Sequence, residues 1–156
     1  MQVWRLAKQA FALDRQGTGA RLSGGRWNSP GVAAIYAGLT PEITALEKLV
    51  HTGSVLPLDL VLLKLTLPEG ENLYQFANFD ALPSGWDAIP GSAAAIVFGD
   101  AFLTGGTRLG LIVPSAVMPE ARNMVINPHH PEFSKISMEI IRPFLFDQRL
   151  RSGSAD

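Results

Sequence analysis

The chain has 156 residues, 47% of them hydrophobic, which is apolar material enough for one compact domain. Thirteen basic against fourteen acidic residues leave a formal charge of −1, without the basic surplus that phosphate neutralisation asks of a nucleic-acid binder. No cysteine is present, which excludes disulfides, thiolate metal sites and a cysteine nucleophile and suits a reducing cytoplasm. The N-terminal residues lack the apolar core of a signal peptide, and runs such as residues 60–63 are broken by Lys64 well short of a membrane span. The expectation is a cytoplasmic protein with no membrane and no direct nucleic-acid contact. Residues 1–150 are expected to form a single domain and 151–156 a disordered tail.

Residues 3–13 read as a strand running into a short helix. Residues 14–31, DRQGTGARLSGGRWNSPG, follow as a long glycine-rich loop, and structureless loops of that length inside compact domains are often functional. Glycine, asparagine and proline have backbone reasons to stand there, but Arg26 and Trp27 have none. Residues 32–38, VAAIYAG, read as a short buried strand. In TPEITALEKLVHTG, Thr40 is placed as N-cap, Pro41 at the first helical position, Glu42 at the positive end of the dipole and Gly53 as the stop. At about 100° per residue, Ile43, Leu46, Leu49 and Val50 share a face, Glu47 sits at its rim and Lys48 points away. LPLDLVLLKLTLP is a strand bounded by Pro57 and Pro68, ENLYQF a further strand, and LPSGWDAIPG a connector. Ser92 caps a short helix through AAAIVFGDAFL. RLGLIVPSAV is a buried strand closed by Pro114 and Ser115, NMVINPHHPEF a strand and proline-rich turn, and KISMEIIRPFLF a closing strand. Strands outnumber helices without alternating strictly, which predicts an α+β fold.

Several familiar chemistries are missing. GTGARLSGG lacks the spacing of a dinucleotide-binding turn, and GGTRLG lacks the lysine and hydroxyl of a P-loop. No G-x-S-x-G surrounds Ser115. His129 and His130 are adjacent, with no carboxylate spacing that completes a metal set, so no metal is expected. A glycosidase of the usual kind needs two carboxylates. Glu47 is the one well-placed candidate, and one suffices when the leaving group is already activated.

GGRWNSPG, AIYAG, ALEKLVH, IVPSAV and NMVINPHHPEF, in this order, resemble the RES-domain family, the toxins of Xre–RES toxin–antitoxin pairs. The resemblance spans residues 4–144, and the arginine, glutamate and serine of the family's name match Arg26, Glu47 and Ser115. It implies an ADP-ribosyltransferase-like fold, with central β-sheets flanked by short helices, acting on NAD as substrate with no resident cofactor. Members cleave the nicotinamide–ribose bond by hydrolysis or phosphorolysis, depleting NAD and arresting growth, or pass ADP-ribose to a protein. The implied partners are a cognate Xre-family antitoxin that occludes the site, inorganic phosphate or a protein acceptor, and a second copy in a homodimer within a larger hetero-oligomer.

The chemistry agrees with these residue types. Nicotinamide leaves as a neutral molecule and needs no acid, while the ribose becomes oxocarbenium-like and calls for one negative charge, the role given to Glu47. Arg26 suits the pyrophosphate through its guanidinium fork. Tyr36 offers a ring for nicotinamide, with a hydroxyl that needs a partner if buried. Ser115 offers a hydroxyl to ribose or carboxamide, with no histidine placed to make it a nucleophile. These four form the catalytic set, and Trp27, Asn28 and Asn127 join Arg26, Tyr36 and Ser115 as candidate NAD contacts, although Trp27 reads equally as a loop anchor and Asn127 as a turn-former. Arg5 is a possible second phosphate contact. Arginine-modifying transferases carry E-x-E, but Ala45 stands two residues before Glu47, which weakens arginine modification and is compatible with water or phosphate as acceptor. A catalytically inert antitoxin-binding module is the remaining alternative.

Overall fold

The computed structural model describes residues 1–53 and 55–150, so the tail expected at 151–156 lies outside the described residues. In chain order the elements are β1 (Gln2–Lys8), α1 (Thr18–Ser23), β2 (Ile35–Gly38), α2 (Pro41–Val50), β3 (Leu60–Thr66), β4 (Tyr74–Phe76), α3 (Ala93–Gly105), β5 (Gly110–Pro114), β6 (Arg122–Ile126) and β7 (Ser137–Phe144). The strands form a seven-stranded sheet in the order β4-β5-β6-β2-β1-β3-β7. Only β4 and β5 run parallel; all other pairs are antiparallel. The expected α+β class is observed.

Strand periodicity of two sorts the core between the two faces of the sheet. On β6, Met124 and Ile126 join one cluster with Val3, Ala7, Leu63, Leu65, Phe133 and Ile136, while Val125 between them joins another with Trp27, Leu111, Val113 and Trp86. On β3, Val61, Leu63 and Leu65 face the first cluster, and Leu60 and Leu62 pack with Leu6 and Phe146 in a third, over which α2 lays Ala45 and Leu49. One face therefore carries one continuous core. The other carries two separate cores, one beneath α3 and one beneath α2.

The N-terminal capping signals act as the sequence suggests, whereas the C-cap of α2 is His51, ahead of the expected stop at Gly53. Thr40 accepts from the Ile43 amide with Pro41 in the first turn of α2, and Ser92 accepts from the Ala95 amide at the start of α3. Two expectations are corrected. The loop at residues 14–31 holds α1, whose start is fastened by the Asp14 carboxylate accepting from the Gln16 and Thr18 amides and the Thr18 hydroxyl. Burial pushes the Asp14 carboxyl up, but these hydrogen bonds outweigh it and hold the group below its ordinary value. The buried residues of α2 are Ile43 and Thr44, while Val50, assigned to the apolar stripe, is exposed. Thr44 tolerates burial because its hydroxyl lies 2.9 Å from the Thr40 carbonyl oxygen and 3.1 Å from that of Trp4. Among the described residues, no helix is long and apolar enough to cross a membrane.

Candidate functional site

β1 and β2 are paired at one register position, Trp4 opposite Gly38, whereas β1 and β3 are matched along seven. Beyond that one pair the two strands part, and a cavity of about 370 Å³ lies where they separate. Its wall includes the consecutive residues Arg5 and Leu6 of β1 and Tyr36 and Ala37 of β2. Consecutive strand residues point to opposite faces, so both can line one cavity only where the sheet is open between the strands. The first residues of α1, the loop at residues 24–27, the last turns of α2, the start of the β5–β6 turn and Asn123 of β6 add to the wall.

Glu47 looks into this cavity from α2. Its Oε1 accepts from the Ser115 hydroxyl at 2.7 Å and from Asn123 Nδ2 at 2.5 Å. Oε2 lies 4.0 Å from His51 Nδ1. One carboxylate oxygen is thus clamped between two donors, and Glu47 lines the cavity. Ser115 follows the end of β5 and is fully buried. Its Oγ accepts from the amides of Val117 and Met118 at 3.0 Å each, so its own proton is committed to Glu47. Ser115 therefore acts through Glu47 and does not line the cavity. Replacing it with alanine would strand two amides and release one side of the carboxylate. Ser115→Ala is expected to lose about 1–3 kcal/mol of stability, read as a lower melting temperature, together with a fall in any Glu47-dependent turnover.

Positive charge surrounds the single carboxylate: Arg5, Arg26 and Lys48 line the same cavity. Burial pushes the Arg5 guanidinium below its ordinary value, partly offset by Asp14. Burial, then the charges of Arg5 and Lys8, do the same to the Lys48 ammonium, against a smaller opposing effect of Asp59. Both groups would gain from a nearby anion. Lys48, expected to point away, is a correction to the helical-wheel reading: the opening between β1 and β2 reaches round the last turns of α2.

The opening loop owes its shape to Asn28, which is fully buried. Its Nδ2 lies within 3.2 Å of the carbonyl oxygens of Ala20, Ser29 and Val32, and its Oδ1 accepts from the Tyr36 hydroxyl at 2.6 Å. The Tyr36 oxygen in turn accepts from the Trp27 amide at 3.1 Å. Burial pushes the Tyr36 phenol well above its ordinary value, so it stays a neutral donor. Gly25 is required here: a Cβ would stand 2.7 Å from the Tyr36 oxygen and 2.9 Å from Asn28 Oδ1. Trp27 is buried, stacked on Trp86 with ring centres 6.1 Å apart and edge-on to Phe98. It is the loop's anchor. Arg26 is left at the cavity edge, its Nη1 donating to the carbonyls of Trp86 and Ala88 at 2.8 and 2.9 Å. Asn127 is elsewhere, with Nδ2 donating to the Leu103 carbonyl and Oδ1 accepting from the His129 amide, and it does not line the cavity.

The structure thus brings Arg26, Tyr36 and Glu47 to one cavity, places Ser115 directly behind Glu47, and leaves Asn28 and Asn127 holding backbone. It adds Asn123, Lys48 and His51, which the sequence reading did not single out. The signal for Asn123 was one polar side chain two residues before buried Val125, hence on the same face of β6.

The site is a cavity in a split sheet, with one carboxylate clamped by Ser115 and Asn123 among the cations Arg5, Arg26 and Lys48. The RES domain model matches residues 2–147, and the chain belongs to the RES domain family. It is 39% identical to a Prs ADP-ribosylating toxin of Sphingobium sp. (strain YBL2), over 94% of each chain. It is 35% identical to a Toxin Res of Photorhabdus laumondii subsp. laumondii, over 96% of this chain and 97% of that one. A 32% identical Toxin Res of Yersinia enterocolitica is matched over 97% of this chain and all of its own length. The fold is shared with a chain of the crystal structure of the M. tuberculosis MbcT–MbcA toxin–antitoxin complex, at a TM-score of 0.64 and 20% identity, over 97% of this chain and 89% of that one.

Proposed function

We propose that this protein is the toxin of a toxin–antitoxin pair and that it cleaves the bond between nicotinamide and ribose in NAD. The observation that carries the reading is Glu47: a carboxylate with one oxygen fixed by Ser115 and Asn123, lining a cavity together with Arg5, Arg26 and Lys48. The pyrophosphate binds these cations, Arg26 first, because its Nη1 is already oriented by two carbonyls. The nicotinamide ribose then lies beside Glu47. As the C1′–N bond breaks, its electron pair stays on the departing nicotinamide, which leaves neutral, and positive charge grows on the ribose. Glu47 stabilises that charge through an oxygen that need not reorganise, an effect worth about 3–4 kcal/mol for a preorganised group. The Tyr36 ring forms the wall beside it. An acceptor oxygen bonds to C1′ and gives up a proton: water yields ADP-ribose, and hydrogen phosphate yields ADP-ribose phosphate.

The test is a time course of purified protein with NAD, with and without inorganic phosphate. Nicotinamide release is the expected result, and the second product names the acceptor. A folded sample that releases none in either condition sinks the reading. A second reading, transfer of ADP-ribose to a protein, is favoured by the name of the Sphingobium relative. Label from NAD recovered on protein, with little free ADP-ribose, selects it. An antitoxin that covers the cavity, and self-association of the chain, complete the proposal. Coexpression with the antitoxin should abolish the NAD loss.

A further inference from the structure

A second cavity of about 270 Å³ adjoins the first and shares four of its residues, Gly24, Gly25, Arg26 and His51. Its remaining wall is Ser23, Gly91 and Ile96. His51 thus stands at the junction, one residue beyond α2 and one helical turn after Glu47. Its Nδ1 lies 2.7 Å from the Glu47 carbonyl oxygen. A carbonyl only accepts, so the ring proton is on Nδ1, and Nε2 carries the lone pair. Among the described residues Nε2 has no protein partner. The ring is also held in place by an anchor that belongs to the backbone of the residue whose carboxylate serves the ribose.

We propose that the second cavity is the entry for the acceptor and that His51 Nε2 takes the acceptor's proton; this rests on the NAD reading above. The acceptor is an oxygen nucleophile with a proton to lose, water or hydrogen phosphate. In the step, the acceptor oxygen bonds to C1′, its proton moves to Nε2, and the C1′–N pair leaves with nicotinamide. The imidazolium, 72% exposed at its side chain, then returns the proton to solvent. The other side chains of the two walls do not suit this task. Arg5, Arg26 and Lys48 are cations with no lone pair to offer, and Ser23 and Tyr36 are far weaker bases than imidazole. Glu47 must keep its charge until C1′ is bonded, and its Oε1 is occupied by two donors. The charged groups that line the two cavities with His51 are Glu47, Arg5, Arg26 and Lys48.

The test uses the full chain and nicotinamide release across a pH series, with and without inorganic phosphate. His51→Gln removes the base, and His51→Asn also removes it but keeps a donor for the Glu47 carbonyl. Both variants are expected to lose about 100-fold in kcat with KM for NAD unchanged, and to lose the acid limb of the wild-type profile. Rescue by His51→Asn alone would show that the ring serves only to close α2, and would overturn the assignment. So would variants that keep the wild-type rate and acid limb. A wild type that releases no nicotinamide at all overturns the NAD reading and this assignment with it, whereas active wild type with indifferent variants overturns this assignment alone.

Discussion

Replacing Glu47 with glutamine is expected to slow nicotinamide release by about 10²–10³-fold while leaving the melting temperature almost unchanged. The geometry makes this substitution a clean probe of charge. Oε1 is an acceptor for both the Ser115 hydroxyl and the Asn123 amide, and the carbonyl of glutamine can accept both bonds. What disappears is the negative charge opposite the ribose. Glu47→Ala removes the same charge and also leaves Asn123 Nδ2 without an acceptor, so it should show the same rate loss with an added loss of stability. Turnover and thermal melts of the two variants side by side separate charge from packing. A Glu47→Gln protein that releases nicotinamide at the wild-type rate would remove Glu47 from the chemistry.

The surrounding cations also bear on that result. Burial holds the Arg5 guanidinium below its ordinary value, and burial with the charges of Arg5 and Lys8 does the same to the Lys48 ammonium. An anionic ligand relieves this, and its relief does not depend on Glu47. NAD affinity should therefore survive Glu47→Gln, and the loss should fall on kcat and not on KM.

Local signals were legible in the sequence because they act over a few residues. Thr40, Pro41 and Ser92 announce helix starts by hydrogen bonds three residues long, and the structure has α2 and α3 starting there. The strangeness of Arg26 and Trp27 in a glycine-rich loop was legible too, since nothing in loop geometry asks for them. What the pair does was not. Trp27 is an anchor only because Trp86 and Phe98 arrive from distant segments, and Arg26 is oriented by carbonyls sixty residues away. The Ser115–Glu47 bond joins residues sixty-eight apart, and no periodicity encodes it. Lys48 shows how a correct local rule fails: the helical wheel assumes one buried face, but the cavity between β1 and β2 is lined by Lys48 as well as by Thr44 and Glu47 of α2. The family resemblance supplied Arg26, Glu47 and Ser115 as a set, and only the structure separates the residue facing the cavity from the one that holds it.

Gly99→Ala is expected to disrupt the site from a distance. Gly99 lies on the buried face of α3 with Ala95 and Leu103. A Cβ there would meet the Trp27 backbone, 2.6 Å from its carbonyl carbon and 2.7 Å from its Cβ, and closer still to its carbonyl oxygen. Two effects oppose each other. Alanine is the better helix former by about 1 kcal/mol. Overpacking costs about 1–3 kcal/mol or more, and here the obstacle is backbone that cannot swing aside as a side-chain tip would. The clash wins, and a net loss of about 2 kcal/mol corresponds to a melting temperature lower by about 4–8 °C in a chain of this size. The loop that must yield also carries Arg26, and its position is fixed on the other side by Ser29, whose amide and hydroxyl donate to Asp100 of the same helix at 2.9 and 2.7 Å. A shift of the loop therefore reaches the guanidinium, and KM for NAD should rise along with the fall in stability. Thermal melts and NAD kinetics on Gly99→Ala check both halves. An unchanged melting temperature would mean that α3 and the arginine loop are not packed backbone to backbone. A destabilised protein with unchanged KM would mean that Arg26 is positioned by Trp86 and Ala88 alone.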